Sequence, residues 1–358
     1  MDEVTLTLHE EKVSRVVVGS GALSRLAGLV TGLDPLNVLV LADSGVPDSI
    51  VDSVVNQLEG RGMTVSASSV GGGEGVKTLG SVEKIWRLMV ASGLTRRSVL
   101  VAIGGGSLLD ASGFAASTYM RGIKLAYVPT TTLAQVDAAV GGKNAIDVGG
   151  GKNLVGTFYH PDIVVIDPTI LANLPNHIFV DGFSEVVKHA AIRGKRWVSW
   201  LLTIADAVMA RDEKVLNEVV RFSVLTKLDV IRRDYKERGA RVLLNFGHTV
   251  GHAIEVVSGY RISHGKAVAM GLVAEASLAT KVLGLPMDEA DLLSAALTEL
   301  GLPTGIGYSA EELVSVMRLD KKFLNGRPRI PLPRRLGDFE IVEFEWGVIA
   351  ACLSELTH

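Results

Sequence analysis

The sequence predicts an α/β domain followed by a mostly α-helical domain. Three observations lead there. Short apolar runs alternate with helical patterns through the first half, as they do when strands lie parallel with helices on both faces. Beyond Asp167-Pro168 the patterns become long and helical. The chain has 358 residues, 47% of them hydrophobic, which is too long for one ordinary core and rich enough to fill two.

Taken in order, residues 37–41 (NVLVL) form an apolar run between turn residues and read as a buried strand. Residues 81–90 carry Ile85, Leu88 and Met89 at helical spacing. Residues 99–103 are a second buried strand running into Gly104-Gly105-Gly106, with a helix expected over 109–117. Residues 125–128 return as a strand that ends at Pro129, and 163–166 (IVVI) form another. Helices are expected over 180–191, 201–208, 215–230, 249–258 and 265–281. The division is drawn as residues 1–172 and 173–358.

The charge balance excludes some classes. A net charge of −3 gives no general attraction to nucleic acid or anionic membrane, so any cluster of Lys and Arg is a local device. One cysteine, Cys352, permits no internal disulfide. The opening MDEVTLTLHEEKV lacks the basic start and apolar core of a secretory signal, and the apolar runs are far too short for a bilayer. A cytoplasmic protein is expected.

VAIGGGSLLD places glycines between a strand and a helix, where backbone N–H groups can approach a pyrophosphate. Leu109 stands where G-x-G-x-x-G has its last glycine, and a glycine turn also serves as a plain connection. Residues 71–77 (GGGEGVK) form a second cluster, equally readable as a surface loop. Thr130 and Thr131 follow a strand end, where an open α/β sheet binds ligands; capping of a helix by one threonine is the plainer reading. Together the three segments favour a nucleotide site. In QVDAAVGGKNAIDVGGGKN, Lys143 and Lys152 each follow glycines. Sharp turns with a point charge suit a phosphate, although solvated loops also carry lysines.

His248 and His252 stand at i, i+4 and share a face if helical; His264 follows in a turn. Glu185 and Lys188, at i, i+3, share a face of an earlier helix. One carboxylate and two imidazoles make a common catalytic zinc set, but spacing does not say which histidines bind. Lys227, Arg241, Lys321 and Lys322 read either as solvated residues or as a clamp on an anion, and Arg241 also stands at helical spacing from Glu237.

GGGSLLDASGF, PTTTLAQVDAAVGGKNAIDVGGGKN, FSEVVKHA, RVLLNFGHTVGHAIE, SHGKAVAMG and LDKK, in this order over about residues 37–337, resemble the 3-dehydroquinate synthases of the sugar-phosphate cyclase family. The resemblance implies a Rossmann-like NAD-binding domain, a helical metal-binding domain and a homodimer. It implies metal ligation by Glu185, His248 and His264, with zinc expected and cobalt fitting similar sites. It assigns Asp43, Glu74, Lys77, Gly105, Gly106, Asp110, Thr130 and Thr131 to NAD. Lys143, Asn153, Asn245, His252 and Lys321 or Lys322, the latter preferred, would hold phosphate, with Arg121 reaching a neighbouring subunit's site. Lys227 and Arg241 would clamp a carboxylate, and Asp137, Lys152, Lys188 and Glu237 would surround the reacting carbons, with His252 also contributing to catalysis. This chain departs from the family at GGGSLLD for GGGVIGD, at Ala138 and Ala139 for serines, and at Asp234-Tyr235 for an acidic pair.

The reaction so implied takes 3-deoxy-arabino-heptulosonate 7-phosphate to 3-dehydroquinate by transient oxidation with NAD+, loss of phosphate, re-reduction and an intramolecular aldol closure. A metal-dependent polyol or alcohol dehydrogenase would share the glycine loop but has no need of Lys143, Lys152, Lys227 and Arg241. Cyclases of sedoheptulose 7-phosphate or glucose 6-phosphate are the second rival, and Asn153, Asn245 and His252 favour the dehydroquinate branch. A scaffold without chemistry would not need Glu185, His248 and His264.

Overall fold

The computed structural model describes residues 13–149, 151–237, 239–318 and 326–356. The chain divides into two compact units. Of the described residues, one comprises Ala22–Pro129 and Gly142–Ile166 with residues 13–17; the other comprises Thr130–Gly141 and the chain from Asp167 onward, with Val18–Gly21.

The first unit is built on strands β1 (Arg15–Val18), β2 (Val38–Asp43), β3 (Val65–Val70), β4 (Val99–Gly104), β5 (Lys124–Pro129) and β8 (Ile163–Ile166), in the sheet order β1-β8-β5-β4-β2-β3. The pairs β2–β3, β2–β4, β4–β5 and β5–β8 are parallel. Helices α1 (Leu26–Thr31), α2 (Asp48–Glu59), α3 (Leu79–Ala91) and α4 (Gly106–Thr118) connect them. The predicted strands at 99–103 and 163–166 are fully buried, as unbroken apolar runs require in a sheet covered on both faces. Chain order reverses between the neighbours β2 and β4, so the carboxyl ends of these strands open a crevice of the kind where such sheets take ligands.

Two features of this unit differ from the sequence reading. VSASSV, with no apolar run, forms β3 at the sheet edge, where one neighbour suffices. The Gly-Lys segments are not simple loops: β6 (Lys143–Val148) and β7 (Gly151–Phe158) make an antiparallel hairpin, with Lys143 and Lys152 near the strand starts. Asn144 and Ile146 point inward from β6, and a buried asparagine hides the alternation that marks a strand.

The second unit holds α5 (Asn176–Asp181), α6 (Phe183–Arg193), α7 (Lys195–Met209), α8 (Glu213–Arg233), α9 (His248–Val257), α10 (His264–Leu283), α11 (Met287–Glu299), α12 (Ala310–Met317) and α13 (Trp346–Leu356), plus the hairpin β9 (Arg329–Arg335) and β10 (Asp338–Glu343). The helix expected over 180–191 is two, broken at Gly182. A side chain there would come within 2.3 Å of the Leu133 backbone nitrogen, so the close approach requires glycine. Glu237 and Arg241 do not share a helix, since α8 ends at Arg233 and a short 3-10 turn spans Ala240–Asn245. No described helix is long and apolar enough to cross a membrane.

Candidate active site

In the sheet unit the site residues gather around Asp43 and Lys77. Asp43 ends β2, beside Gly104 at the end of β4. A side chain on Gly72 would lie 2.1 Å from the Asp43 carboxylate, and one on Gly104 would meet Leu108 at 2.8 Å. An added side chain at either position would force its neighbour, Asp43 or Leu108, to shift. Gly105 caps α4 without any side-chain hydrogen bond, which leaves the first N–H groups of the helix available to an anion. Lys77, 5% exposed, bonds Asp110 at 2.8 Å and Asn153, and lies 3.8 Å from Glu74. Burial alone would lower its pKa, but Asp110 and Glu74 outweigh that and raise it. Lys152 also lies 3.8 Å from Glu74. The residues assigned to NAD and those assigned to phosphate thus share one network here, joined at Lys77–Asn153. Ser107, at a departure from the family pattern, donates to Glu74 at 2.6 Å. Arg121 is exposed in a turn where Met120 (φ 49°) and Arg121 (φ 66°) are both left-handed.

In the helical unit Thr131 Oγ1 accepts from the Ala134 N–H at 3.2 Å, so one threonine does cap the turn that carries Asp137. Thr130 is buried. Lys227 of α8 reaches this segment, pairing with the Asp137 carboxylate at 2.8 Å and donating to its carbonyl at 2.6 Å. Burial would push the Asp137 carboxyl up, but Lys227, with Lys188 and His189, holds it well below the usual range. Burial lowers the Lys227 pKa, against the pull of Asp137. Arg241 is 2% exposed and donates to the carbonyls of Gly141 (2.8 Å) and Tyr235 (2.9 Å). Asn245 donates to Glu237 at 2.9 Å, and Glu237 sits at φ 58°.

Glu185, His248 and His264 come together. The His248 and His264 Nε2 atoms lie 3.5 and 3.8 Å from the same Glu185 oxygen. His248 Nδ1 is 3.2 Å from the Phe246 carbonyl, and His264 Nδ1 is 3.5 Å from Glu255. Each Nδ1 thus faces an acceptor, which assigns the proton there and turns the Nε2 lone pair toward Glu185. Glu185 is fully buried; one oxygen pairs with the Lys188 ammonium, and the other, which faces both imidazoles, receives no hydrogen bond. A buried carboxylate oxygen facing two imidazole lone pairs fits a divalent cation, because without one that oxygen is left desolvated and unpartnered at a cost of about 1–3 kcal/mol. Burial, then Lys188 and the other two imidazoles, holds His248 well below its ordinary pKa, so it is neutral and ready to ligate. Burial opposes protonation of His264, but Glu255 outweighs it and raises the pKa.

Among the described residues, two further carboxylate–imidazole groups are close enough for a metal: His252, Glu255 and His264, and Asp137, Glu185 and His189. The Lys227 ammonium, 2.8 Å from Asp137, opposes a cation at the second of these. The first shares His264, whose Nδ1 already faces Glu255. His252 lies on the same helix face as His248, with ring centres 5.3 Å apart. Lys321 and Lys322 lie outside the described residues.

Residues missed in the sequence are Glu255, His189 and Glu275. Glu255 stands at i+3 from His252 and His189 at i+4 from Glu185, spacings that share a helix face. Glu275 is fully buried; burial pushes its carboxyl up to about 8, against three backbone N–H donors that favour its charged form.

Family models described as 3-dehydroquinate synthase N-terminal and C-terminal match residues 67–181 and 182–323. A 3-dehydroquinate synthase of Aeropyrum pernix is 40% identical over 336 residues, 93% of this chain and 90% of that protein. This chain belongs to the 3-dehydroquinate synthase family. The family's C-terminal region contains the whole Glu185–His248–His264 cluster, and its N-terminal region contains Lys77, Asp110 and both strands of the β6–β7 hairpin. Solved structures outside this branch share the fold. A 2-epi-5-epi-valiolone synthase from Streptomyces hygroscopicus, with NAD+ and Zn2+ bound, has a TM-score of 0.90 at 25% identity and covers 99% of both chains. A 2-deoxy-scyllo-inosose synthase complexed with carbaglucose-6-phosphate, NAD+ and Co2+ has a TM-score of 0.86 at 27% identity, covering 95% of this chain and 96% of that one.

Proposed function

We propose that this protein converts 3-deoxy-arabino-heptulosonate 7-phosphate to 3-dehydroquinate and phosphate, with NAD+ and a divalent metal, zinc or cobalt, as cofactors. The observation that carries this reading is the agreement between family and site. Relatives named 3-dehydroquinate synthase are 37–40% identical over more than nine-tenths of the chain, and a cation-ready carboxylate–imidazole cluster lies within the matched region. The metal and NAD+, when bound, supply charge stabilisation for a developing alkoxide and a transient store for hydride. Glu185, His248 and His264 hold the metal.

The remaining residues bind, orient and move protons. Arg241, preset by two carbonyls, and Lys227 receive the substrate carboxylate, Arg241 in a planar two-point contact. Asp137, held ionised by Lys227, accepts a hydrogen bond from a substrate hydroxyl near the reacting carbons and so orients it. Lys188 and Lys152 add positive charge near the developing oxyanions. Glu237 fixes Asn245, which with His252, Lys143, Asn153 and Lys322 holds the phosphate and steers its departure. Asp43, Glu74, Lys77, Asp110, Gly105, Gly106, Thr130 and Thr131 position NAD+.

The protein acts as a homodimer in the cytosol, with Arg121 entering the partner's site. Two consecutive left-handed residues cost about 1–3 kcal/mol each, a strain expected where a side chain must be presented at a fixed angle. Leu154, Val155 and Phe158 of β7 are exposed apolar residues in the same unit. The activity is tested with purified protein, the heptulosonate phosphate, NAD+ and zinc, followed by product analysis. 3-Dehydroquinate with equimolar phosphate is expected; a ketone that retains its phosphate would contradict the reading.

A further inference from the structure

Glu275 lies eleven residues after His264 on α10, three turns along the same face. Its side chain is fully buried. One carboxylate oxygen accepts from the Gly247 N–H at 2.6 Å, and the other accepts from the N–H groups of Thr249 (2.9 Å) and Val250 (3.1 Å). These donors flank His248 at the start of α9, where N–H groups have no intrahelical partner. Gly247 is left-handed (φ 81°) and supplies no side-chain cap, so the cap comes from the neighbouring helix.

The two helices also meet backbone to backbone. A side chain on Gly271 of α10 would lie 1.9 Å from the Gly247 carbonyl oxygen. One on Gly251 of α9 would lie 3.0 Å from the Ala267 carbonyl oxygen. The start of α10 is pinned in turn, because a side chain on Gly265 would overlap the Asp181 carbonyl, and Asp181 accepts from the Lys266 N–H at 3.2 Å. The separation of His248 from His264 is therefore set by a glycine-lined contact and one buried carboxylate.

We infer that Glu275 is a positioning residue for the metal-binding histidines: it ties the first turn of α9 to α10 so that both Nε2 atoms converge on Glu185. The inference rests on the metal reading of Glu185, His248 and His264. Both oxygens act as acceptors, which a glutamine cannot reproduce. Its amide nitrogen would face either the Gly247 N–H or the Thr249 and Val250 pair, and at least one bond to the turn is lost.

The test compares wild type with Glu275→Gln and Glu275→Asp above pH 8, where the carboxyl is ionised. Zinc affinity is read by competition with a chromophoric chelator, ligand geometry by the visible bands of the cobalt-loaded protein, and folding by circular dichroism. The expected result is a folded Glu275→Gln protein with unchanged NAD+ affinity, zinc affinity lower by ~10–100-fold, the usual cost of losing an outer support of a metal site, and altered cobalt bands. Glu275→Asp, which keeps the charge but retracts it, falls between the two. Wild-type zinc affinity and cobalt bands in Glu275→Gln, with only a lower melting temperature, would show that the carboxylate merely caps a helix and would overturn the inference. Should Glu275→Gln not fold, Glu275→Asp carries the same readouts, and wild-type zinc affinity and cobalt bands in that variant would overturn the inference equally. His264→Ala serves as the control: zinc binding equal to wild type in that variant would remove the metal reading itself, and the inference with it.

Discussion

Around Asp43 the chain makes room by leaving side chains out, whereas around Glu185 it packs charged side chains in. Gly72 and Gly104 each face side-chain atoms of Asp43 or Leu108 that an added methyl group would strike, so the crevice at the end of β2 and β4 depends on the absence of side chains at these two positions. In the helical unit Glu185, Lys188, Lys227 and Arg241 are all nearly inaccessible, and each is tolerable only because another group answers its charge or fills its hydrogen bonds. The first kind of site fails sterically, through added bulk. The second fails electrostatically, through a missing partner. Variants in the two regions should therefore separate cofactor binding from metal and substrate binding.

The largest effect is expected at the metal. His264→Ala removes one of the three proposed protein ligands and should leave the purified protein with little zinc and no measurable turnover, while NAD+ still binds; metal analysis and NAD+ titration check both. His252→Ala, four residues from His248 on the same helix face, should keep its zinc and lose catalysis. Next in size is Gly72→Val, whose new side chain meets the Asp43 carboxylate. Overpacking of about 1–3 kcal/mol should weaken NAD+ by roughly 10–100-fold with zinc content unchanged. Loss of zinc in this variant would break the proposed separation.

Arg241→Ala should raise the KM for the heptulosonate with NAD+ affinity preserved, by about 2–3 kcal/mol in substrate binding. Arg241→Lys should also be impaired, since two donors in one plane are replaced by one ammonium. The smallest effect concerns pH. Asp137 is held well below its ordinary 3.8, so its ion pairs stabilise the fold above that value and are lost as pH falls through the depressed one. Lys227→Met removes the foremost favourable charge. The Asp137 carboxyl should rise, and the acidic limb of the kcat/KM profile should move to higher pH.

The same contrast governs what could be read from the sequence. A site made by omission is written locally: GGGSLLD and GGGEGVK stand beside the strands they serve, and β4 runs into its glycines without a break. The histidine pair was legible for a similar reason, because both rings sit on one short helix. Other partners were hidden by distance along the chain. Glu275 acts on a turn 28 residues earlier, and Lys227 answers an aspartate 90 residues away. No spacing rule reaches that far; only the packing of α9 on α10, and of α8 on the segment that carries Asp137, gives those charges a meaning. Gly182 shows the complementary failure. The helical pattern over 180–191 is genuine on both sides of it, and the glycine between them is required because the Leu133 backbone presses against that one position.

The glycine crevice and the charged cluster are expected to serve a single reaction, in which hydride leaves and returns within one turnover. Phosphate release at substoichiometric NAD+, followed together with absorbance at the NADH band, tests this directly. Many phosphates released per NAD+, with no net NADH, is the predicted result. One NADH formed per substrate, with the phosphate still attached to the product, would contradict it.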